Sequence, residues 1–325
     1  MDGKLKLAVV SHSLVAERQF WFFDWLTPAT MGTLEVMKVA PSRWGKYTRS
    51  WGFPVINEGN MVQYEFYDEA FKAVQDFKPD IIYVQQEAYC KVTAQFLRFA
   101  KSIGSKFVLF VWENLNEYTP YQGNILKDCD LVVCGNGRAE GLVKPHNEHT
   151  LRCIQVGVQT SVFVPGMFRP AKDVIFQGRM APEKGYRVLQ RAAKRFSVLW
   201  PEPNQSSSYT DLPTRYNDAK VHASPSIDSP WWKEQHAGYA NLEALSCGLY
   251  VATSDSVAIV EALNGCPGVK FSRQGDHEAL RKDIEDELSL YDEKGRNIRG
   301  REWVVANFGY DAIAKQLVSA LEALF

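Results

Sequence analysis

The stretch "VIFQGRMAPEKGYRVLQRAAKRF" (174–196) decides the fold. An apolar run ends at Gly178, a short loop carries Arg179 and Lys184, and a helical pattern begins near Gly185. A strand buried on both faces shows as a near-continuous apolar run, and a surface helix as apolar residues every three to four positions. The segment is therefore a strand–loop–helix unit. Its loop would place free main-chain N–H groups at a helix start, where they and the helix dipole favour an anion. Arg179 adds a forked donor and Lys184 a point charge, which suits a diphosphate. Taken alone, the loop is equally a solvated connection with incidental charge.

The same unit recurs in both directions. Short apolar runs at 5–11, 34–40, 80–85, 106–112 and 130–135 form one series of strands. Runs at 173–178, 196–200, 219–225, 249–254 and 268–272 form a second. Helical patterns lie between them, such as "YDEAFKAVQDF" (67–77) and "KVTAQFLRFAKSIG" (91–104). In the latter, Val92, Phe96, Phe99 and Ile103 fall on one face, and Gly104 suits the helix end. Strand and helix in alternation predict an α/β protein with doubly wound parallel sheets. The two series part near "IQVGVQTSVFVPGMFRPAKD" (154–173), which has two prolines, two glycines and no periodicity. The expected domains are 1–155 and 156–305, each Rossmann-like, with 306–325 a helix crossing back to the first. Two such domains would face one another across a cleft, with ligands beyond the carboxyl ends of the strands.

Composition narrows the function. The 325 residues carry 37 basic and 38 acidic side chains. Such balance argues against a nucleic-acid partner, which would need a strongly basic face. The six cysteines form no CxxC pair, so no structural zinc site is expected and the thiols read as free in a reducing compartment. No apolar run reaches the ~20 residues of a membrane span. The start "MDGKLKLAVVSHS" shows no signal-peptide pattern. A cytoplasmic protein is expected, with peripheral contact at the inner membrane face as an alternative. The segment "APSRWGKYTRSWGF" (40–53) interleaves cations with aromatic rings. It would suit an anionic or sugar acceptor or lipid headgroups through cation–π contacts, and is equally a packed cap on the sheet. The run "FWFFDWL" (20–26) reads as a core helix, since Asp24 interrupts any lipid-facing surface.

A second motif lies in "SPWWKEQHAGYANLEALSCGLYVATSDS" (229–256), with Glu234 and Glu243 nine residues apart. One continuous helix would put them on opposite faces, at about 100° per residue. A helix starting near Gly238 leaves Glu234 in the preceding loop and Glu243 in the second turn, so that both can face one pocket. Carboxylates aimed at sugar hydroxyls make charge-assisted hydrogen bonds. Glu243 on a helix surface and Glu234 as a loop charge is the structural alternative.

In order along the chain, "GRMAPEKG" and "PWWKEQHAGYANLEALSCGLYVATSDS" resemble the loop and glutamate motifs of retaining glycosyltransferases of family 4, which have the GT-B fold. "VQQEAYCKVTAQFLRFAK", "FVLFVWENLNEYTPYQGN" and "IQVGVQTSVFVPG" resemble segments of one branch of that family. The resemblance implies sugar transfer from a nucleotide-sugar, UDP- or GDP-linked, with retention of configuration, no cofactor and no metal. The acceptor would be a glycan, a lipid-linked sugar or another molecule, met on the N-terminal domain. Arg179 and Lys184 would hold the diphosphate, Glu243 the ribose and Glu234 the transferred sugar, making Arg179, Lys184 and Glu234 the catalytic set. Gly178, Gln235, Gly238, Tyr239 and Ala240 complete the donor-binding set. His12, Glu87 and Asn114, at strand ends of the first domain, are acceptor-side candidates.

The sequence also departs from that family. Its glutamates usually stand eight apart, so Gln235 is the alternative to Glu234 in the first role. One βα unit looks trimmed around "VLWPEPNQSSSYTDLP", and Val257 stands at a usual glycine position. A sugar-nucleotide-binding protein without transferase activity, or a GT-B epimerase, are the alternatives in function.

Overall fold

The computed structural model describes residues 4–41, 43–44, 47–48, 55–56, 68–201 and 209–325. The cation–aromatic segment 40–53 therefore lies largely outside the described residues, and its proposed stacking with it. Two compact units emerge: Met1–Gly157 with Ile313–Phe325, and Val158–Ala312.

The first unit runs β1 (Leu5–Val10), α1 (Glu17–Ala29), β2 (Leu34–Pro41), β3 (Arg43–Trp44), β4 (Tyr47–Thr48), β5 (Val55–Ile56) and α2 (Asp68–Phe77). It continues with β6 (Ile81–Gln85), α3 (Lys91–Ile103), β7 (Lys106–Val111), α4 (Pro120–Lys127), β8 (Leu131–Cys134), α5 (Gly137–Val143) and β9 (Thr150–Arg152). Seven strands order as β5-β2-β1-β6-β7-β8-β9. Every pairing in this sheet is parallel. All five residues of β6 are buried, as a strand covered by helices on both faces requires. α3 ends as the pattern predicts: Gly104 is left-handed (φ 77°) and its N–H donates to the Ala100 carbonyl. The aromatic run 20–26 lies in α1, with Phe22, Phe23 and Leu26 buried and Asp24 paired with Lys38. Burial pushes the Lys38 ammonium down to about 8.

The second unit runs β10 (Lys172–Ile175), α6 (Tyr186–Ala192), β11 (Val198–Leu199), α7 (Leu212–Asn217), β12 (Ala219–Ser224) and α8 (Tyr239–Ser246). β13 (Tyr250–Ser254), α9 (Val257–Leu263), β14 (Val269–Ser272), α10 (His277–Lys294) and α11 (Ile298–Phe308) follow. Its five strands order as β11-β10-β12-β13-β14, again all parallel. The chain enters and leaves side by side: Val158 N–H donates to Phe308 O, and Tyr310 N–H donates to Val158 O. α12 (Tyr310–Glu322) follows, and from Ile313 onward it belongs to the first unit. Among the described residues no helix is long and apolar enough to cross a membrane.

Strand order locates the switch points. From β10 the chain winds outward to β11, then returns to place β12 on β10's other side. Adjacent loops there leave in opposite directions, which opens a crevice beyond the carboxyl ends. The loops after β10 and β12 are held together by main-chain contact. Ile227 N–H donates to the Glu183 carbonyl at 2.8 Å. Gly185 takes φ +67°, and a Cβ there would sit 1.7 Å from the Pro225 carbonyl oxygen. Gly178 faces no such wall, since its Cβ would meet only the Phe176 ring at 3.6 Å.

Two stability outcomes follow. Gly185→Ala combines left-handed strain with overlap, and should cost about 2 kcal/mol or more, against well under 1 kcal/mol for Gly178→Ala. Equal urea midpoints for the two variants would contradict the packing described. The second concerns Glu287 on α10, which is 1 % exposed. Burial, with Asp283 and Asp286 nearby and Lys270 opposing them, pushes its carboxyl up to about 7. A raised carboxyl pKa favours the protonated folded state, so the destabilising contribution is absent below the unfolded value near 4.5 and complete above about 7. Glu287→Gln should therefore gain Tm over the wild type at pH 8, with the gap closing as pH falls towards 4.5. A gap independent of pH would show that folding does not raise the Glu287 pKa.

Candidate functional site

Lys184 and Glu234 meet at the β10–β12 switch point. Lys184 ends the turn Pro182–Lys184 that precedes Gly185 and α6. Glu234 lies in the irregular stretch 233–238 before α8 and is only 8 % exposed. Its Oε1 accepts from Lys184 Nζ at 2.7 Å and from buried Ser226 Oγ at 2.6 Å. The same ammonium stands 4.6 Å from the Trp232 ring centroid. The β10–α6 loop and both ends of the β12–α8 loop thus converge on one carboxylate oxygen.

Asp228 fixes the carrier of that carboxylate. It accepts from Glu234 N–H at 3.1 Å, from Ser256 Oγ at 2.9 and 3.0 Å, and from Gln274 Nε2 at 3.3 Å. Gln274 also accepts from Asp228 N–H at 2.6 Å, and its own N–H donates to Asp255 at 3.0 Å. The loops after β12, β13 and β14 are tied by these bonds. Ser256 precedes α9 but spends its hydroxyl on Asp228, leaving α9 without a side-chain cap. Val257 at the helix start is 73 % exposed.

The remaining donor-side positions divide. Arg179 is exposed and pairs with Glu183 at 3.0 Å. Gly178 lies within the same loop after β10, and Gln235 is exposed. Of Glu234 and Gln235, Glu234 is the one bonded to Lys184. Gly238 (φ 76°) is the N-cap of α8, with Tyr239 and Ala240 its first residues and no side-chain cap. His236 Nδ1 accepts from Gly238 N–H at 2.9 Å, which orders the loop just ahead of the helix. Glu243 lies in the second turn of α8, as the motif predicts, but is 1 % exposed. Tyr216 donates its hydroxyl to Glu243 Oε2 at 2.9 Å. Glu243 is thus enclosed and bonded to the Tyr216 hydroxyl from α7, where the motif expectation has it facing a pocket with Glu234. Tyr216 gave no sequence signal, since an aromatic residue on a six-residue helix looks like core.

Beneath α8 lies a polar group among apolar neighbours. Asn241 Oδ1 accepts from Ser224 Oγ at 2.6 Å and faces His222 Nδ1 at 3.0 Å. Burial pushes the fully enclosed His222 down to about 4, so its ring is neutral. This group orients α8 against β12 and β13.

The acceptor-side candidates occupy the carboxyl edge of the first unit's sheet. His12 follows β1, and its Nδ1 meets the Gln86 amide. Burial lowers His12 to about 4. Glu87 follows β6 and accepts from Trp112 N–H and, at 3.4 Å, from Tyr118 Oη. Burial first, and Glu113 also, push Glu87 up to about 7. Asn114 is buried after β7. Sequence reasoning missed the neighbouring cluster in which Gln155 donates to Ser13 Oγ and Gln85 Oε1 and accepts from Gln19. Among the described residues, no three His, Cys, Asp or Glu side chains group as a metal site would need. All six cysteines are unpaired.

No family model and no curated protein matches the sequence. Solved structures do match the fold. A sucrose-phosphate synthase from Thermosynechococcus elongatus aligns with TM-score 0.75 and 16 % identity over 99 % of both chains. A glycosyltransferase from Rickettsia africae aligns at 0.74 and 13 % identity, over 99 % of this chain and 98 % of that one. Anabaena HepE, solved in complex with UDP-glucose, aligns at 0.70 and 12 % identity, over 98 % of this chain and 100 % of that one. The chain therefore has the GT-B fold of these glycosyltransferases, built on two parallel-sheet α/β units.

Proposed function

We propose that the protein is a glycosyltransferase that moves a sugar from a nucleotide-sugar donor to an acceptor hydroxyl with retention of anomeric configuration. The observation that carries this is the junction of Lys184, Glu234 and Ser226 at the switch point, on a fold shared with glycosyltransferases. Supporting it, HepE was solved with UDP-glucose.

The chemistry follows from charge. Breaking the bond between the anomeric carbon and the diphosphate leaves negative charge on phosphate oxygens. Lys184 can donate to them while one of its N–H groups stays hydrogen-bonded to Glu234, so the cation is positioned before the donor arrives. Among the described residues Arg179 is held by one exposed ion pair, worth about 0–1 kcal/mol, and is easily drawn to phosphate. Uncapped N–H groups at the start of α8 add donors. Glu234 accepts from sugar hydroxyls, with Ser226 and Lys184 fixing its rotamer. Glu243 takes the ribose hydroxyls once Tyr216 releases it. These cations and amides stand in for a metal. Glu87, His12 and Asn114 recognise the acceptor, a glycan or lipid-linked sugar. The protein works in the cytoplasm.

The closed Tyr216–Glu243 contact favours a second reading, a protein that binds sugar nucleotides without transferring them. Nucleotide release separates the two. Incubated with UDP- or GDP-sugars and an acceptor panel, the wild type should release nucleotide. Lys184→Ala and Glu234→Gln should lower kcat/KM by about 100-fold, which is roughly 2.7 kcal/mol of transition-state stabilisation. Donor binding with no release by the wild type would select the second reading, and full activity in both variants would overturn the site. Tyr216→Phe removes the hydroxyl that competes for Glu243 and should lower the donor KM. An unchanged KM would leave Glu243 a structural residue.

A further inference from the structure

The second unit contains a cavity of ≈ 500 Å³ whose charged lining gathers at the amino edge of its sheet, with Leu199, level with the last residue of β10, as part of its wall. Its polar lining is Arg169, Arg215, Arg296, Thr214, Asn217 and Asp218. Asn217 and Asp218 directly precede β12, Arg169 lies just before β10, and Arg296 reaches the Cys247 carbonyl ahead of β13. All three strands are parallel, so these groups mark the amino edge. Lys184, Ser226 and Glu234 lie beyond the carboxyl edge, roughly 20 Å away along a six-residue strand.

The lining is cationic. Three guanidinium groups face one carboxylate, and Asp218 already accepts from Ala171 N–H at 3.3 Å. Arg296 is aimed by three main-chain carbonyls, those of Cys247, Phe168 and Asn217, at 3.2–3.3 Å. Carbonyls fix its geometry without cancelling its charge. Arg215 donates to Trp200 O at 2.9 Å. Arg169 is exposed and, among the described residues, has no hydrogen-bond or ion-pair partner. Guanidinium forks of this kind match phosphate oxygens. Leu199, Pro213 and Phe168, a residue 84 % exposed, supply the apolar wall. The volume falls in the range of small-molecule sites, about 300–1,000 Å³, and exceeds what a bare phosphate fills.

We propose that this cavity binds a small organic phosphate, a phosphate monoester on a sugar or planar body, at a site separate from the one at Lys184. The dianionic head meets Arg169 and Arg296, and the body lies against Leu199, Pro213 and the Phe168 ring. The site stands whether or not the protein transfers sugars.

Calorimetric titration of the full chain tests it, with glucose 6-phosphate, AMP and inorganic phosphate as probes. At least one of the two esters should bind the wild type more tightly than inorganic phosphate. Its Kd should rise at least tenfold in Arg169→Ala and further in Arg169→Glu. Both changes fall on an exposed side chain, so Tm without ligand should not move. Lys184→Ala should leave the Kd unchanged within twofold. Failure of both esters to bind, equal binding by inorganic phosphate, an unchanged Kd in Arg169→Ala, or loss of binding in Lys184→Ala would each overturn the proposal.

Discussion

One carboxylate oxygen organises the second unit's carboxyl edge. Glu234 Oε1 is shared by the ammonium of Lys184 and the hydroxyl of Ser226, so the loop after β10 and the two ends of the β12–α8 loop are held at one point. A charge this buried is stable only when paired and hydrogen-bonded. The pairing in turn requires Gly185, because only a residue without Cβ lets the Lys184 turn lie against Pro225. Asp228 completes the arrangement by gripping the Glu234 main chain and passing the constraint to Ser256 and Gln274. The cation is thus aimed without being neutralised on every donor, the condition for an anion site that needs little rearrangement on binding.

Parallel sheets impose a polarity on each unit. Loops that follow strands gather at one edge and loops that precede them at the other. In the second unit the carboxyl edge carries Lys184 and Glu234, and the amino edge carries the arginine-lined cavity. In the first unit the carboxyl edge carries His12, Glu87, Asn114 and the glutamine cluster around Gln155. The two carboxyl edges differ in character. One presents a paired ammonium and uncapped amides, and the other presents neutral amides, an imidazole that burial lowers to about 4 and a carboxyl group that burial pushes up to about 7.

Much of this was legible in the sequence. Strands buried on both faces write long apolar runs, so the ten runs of the two series all appear as strands, and their alternation with helices gives the α/β class. β3, β4, β5 and β9 escaped because two or three residues carry no periodicity. The turn at Lys184 and the irregular loop at Glu234 were readable from glycine placement. Ser226, Asp228, Ser256 and Gln274 were not. Each is a single polar residue after a strand, and only the sheet brings positions up to 48 residues apart into one network. Tyr216 was illegible for a different reason, since burial of an aromatic ring does not reveal where its hydroxyl points.

The central claim is that the Lys184–Glu234 junction is half of a diphosphate-sugar site. Thermal unfolding of the wild type with UDP, GDP, ADP or dTDP and their common sugar conjugates tests it most directly. A ligand present at 100 times its Kd adds about 2.7 kcal/mol to the folded state. For units of this size that raises Tm by roughly 5–11 °C. The account predicts such a rise for one nucleotide series, with the sugar conjugate stabilising more than the bare diphosphate, because Glu234 then has hydroxyls to bind. A Tm unmoved by any of them would contradict it.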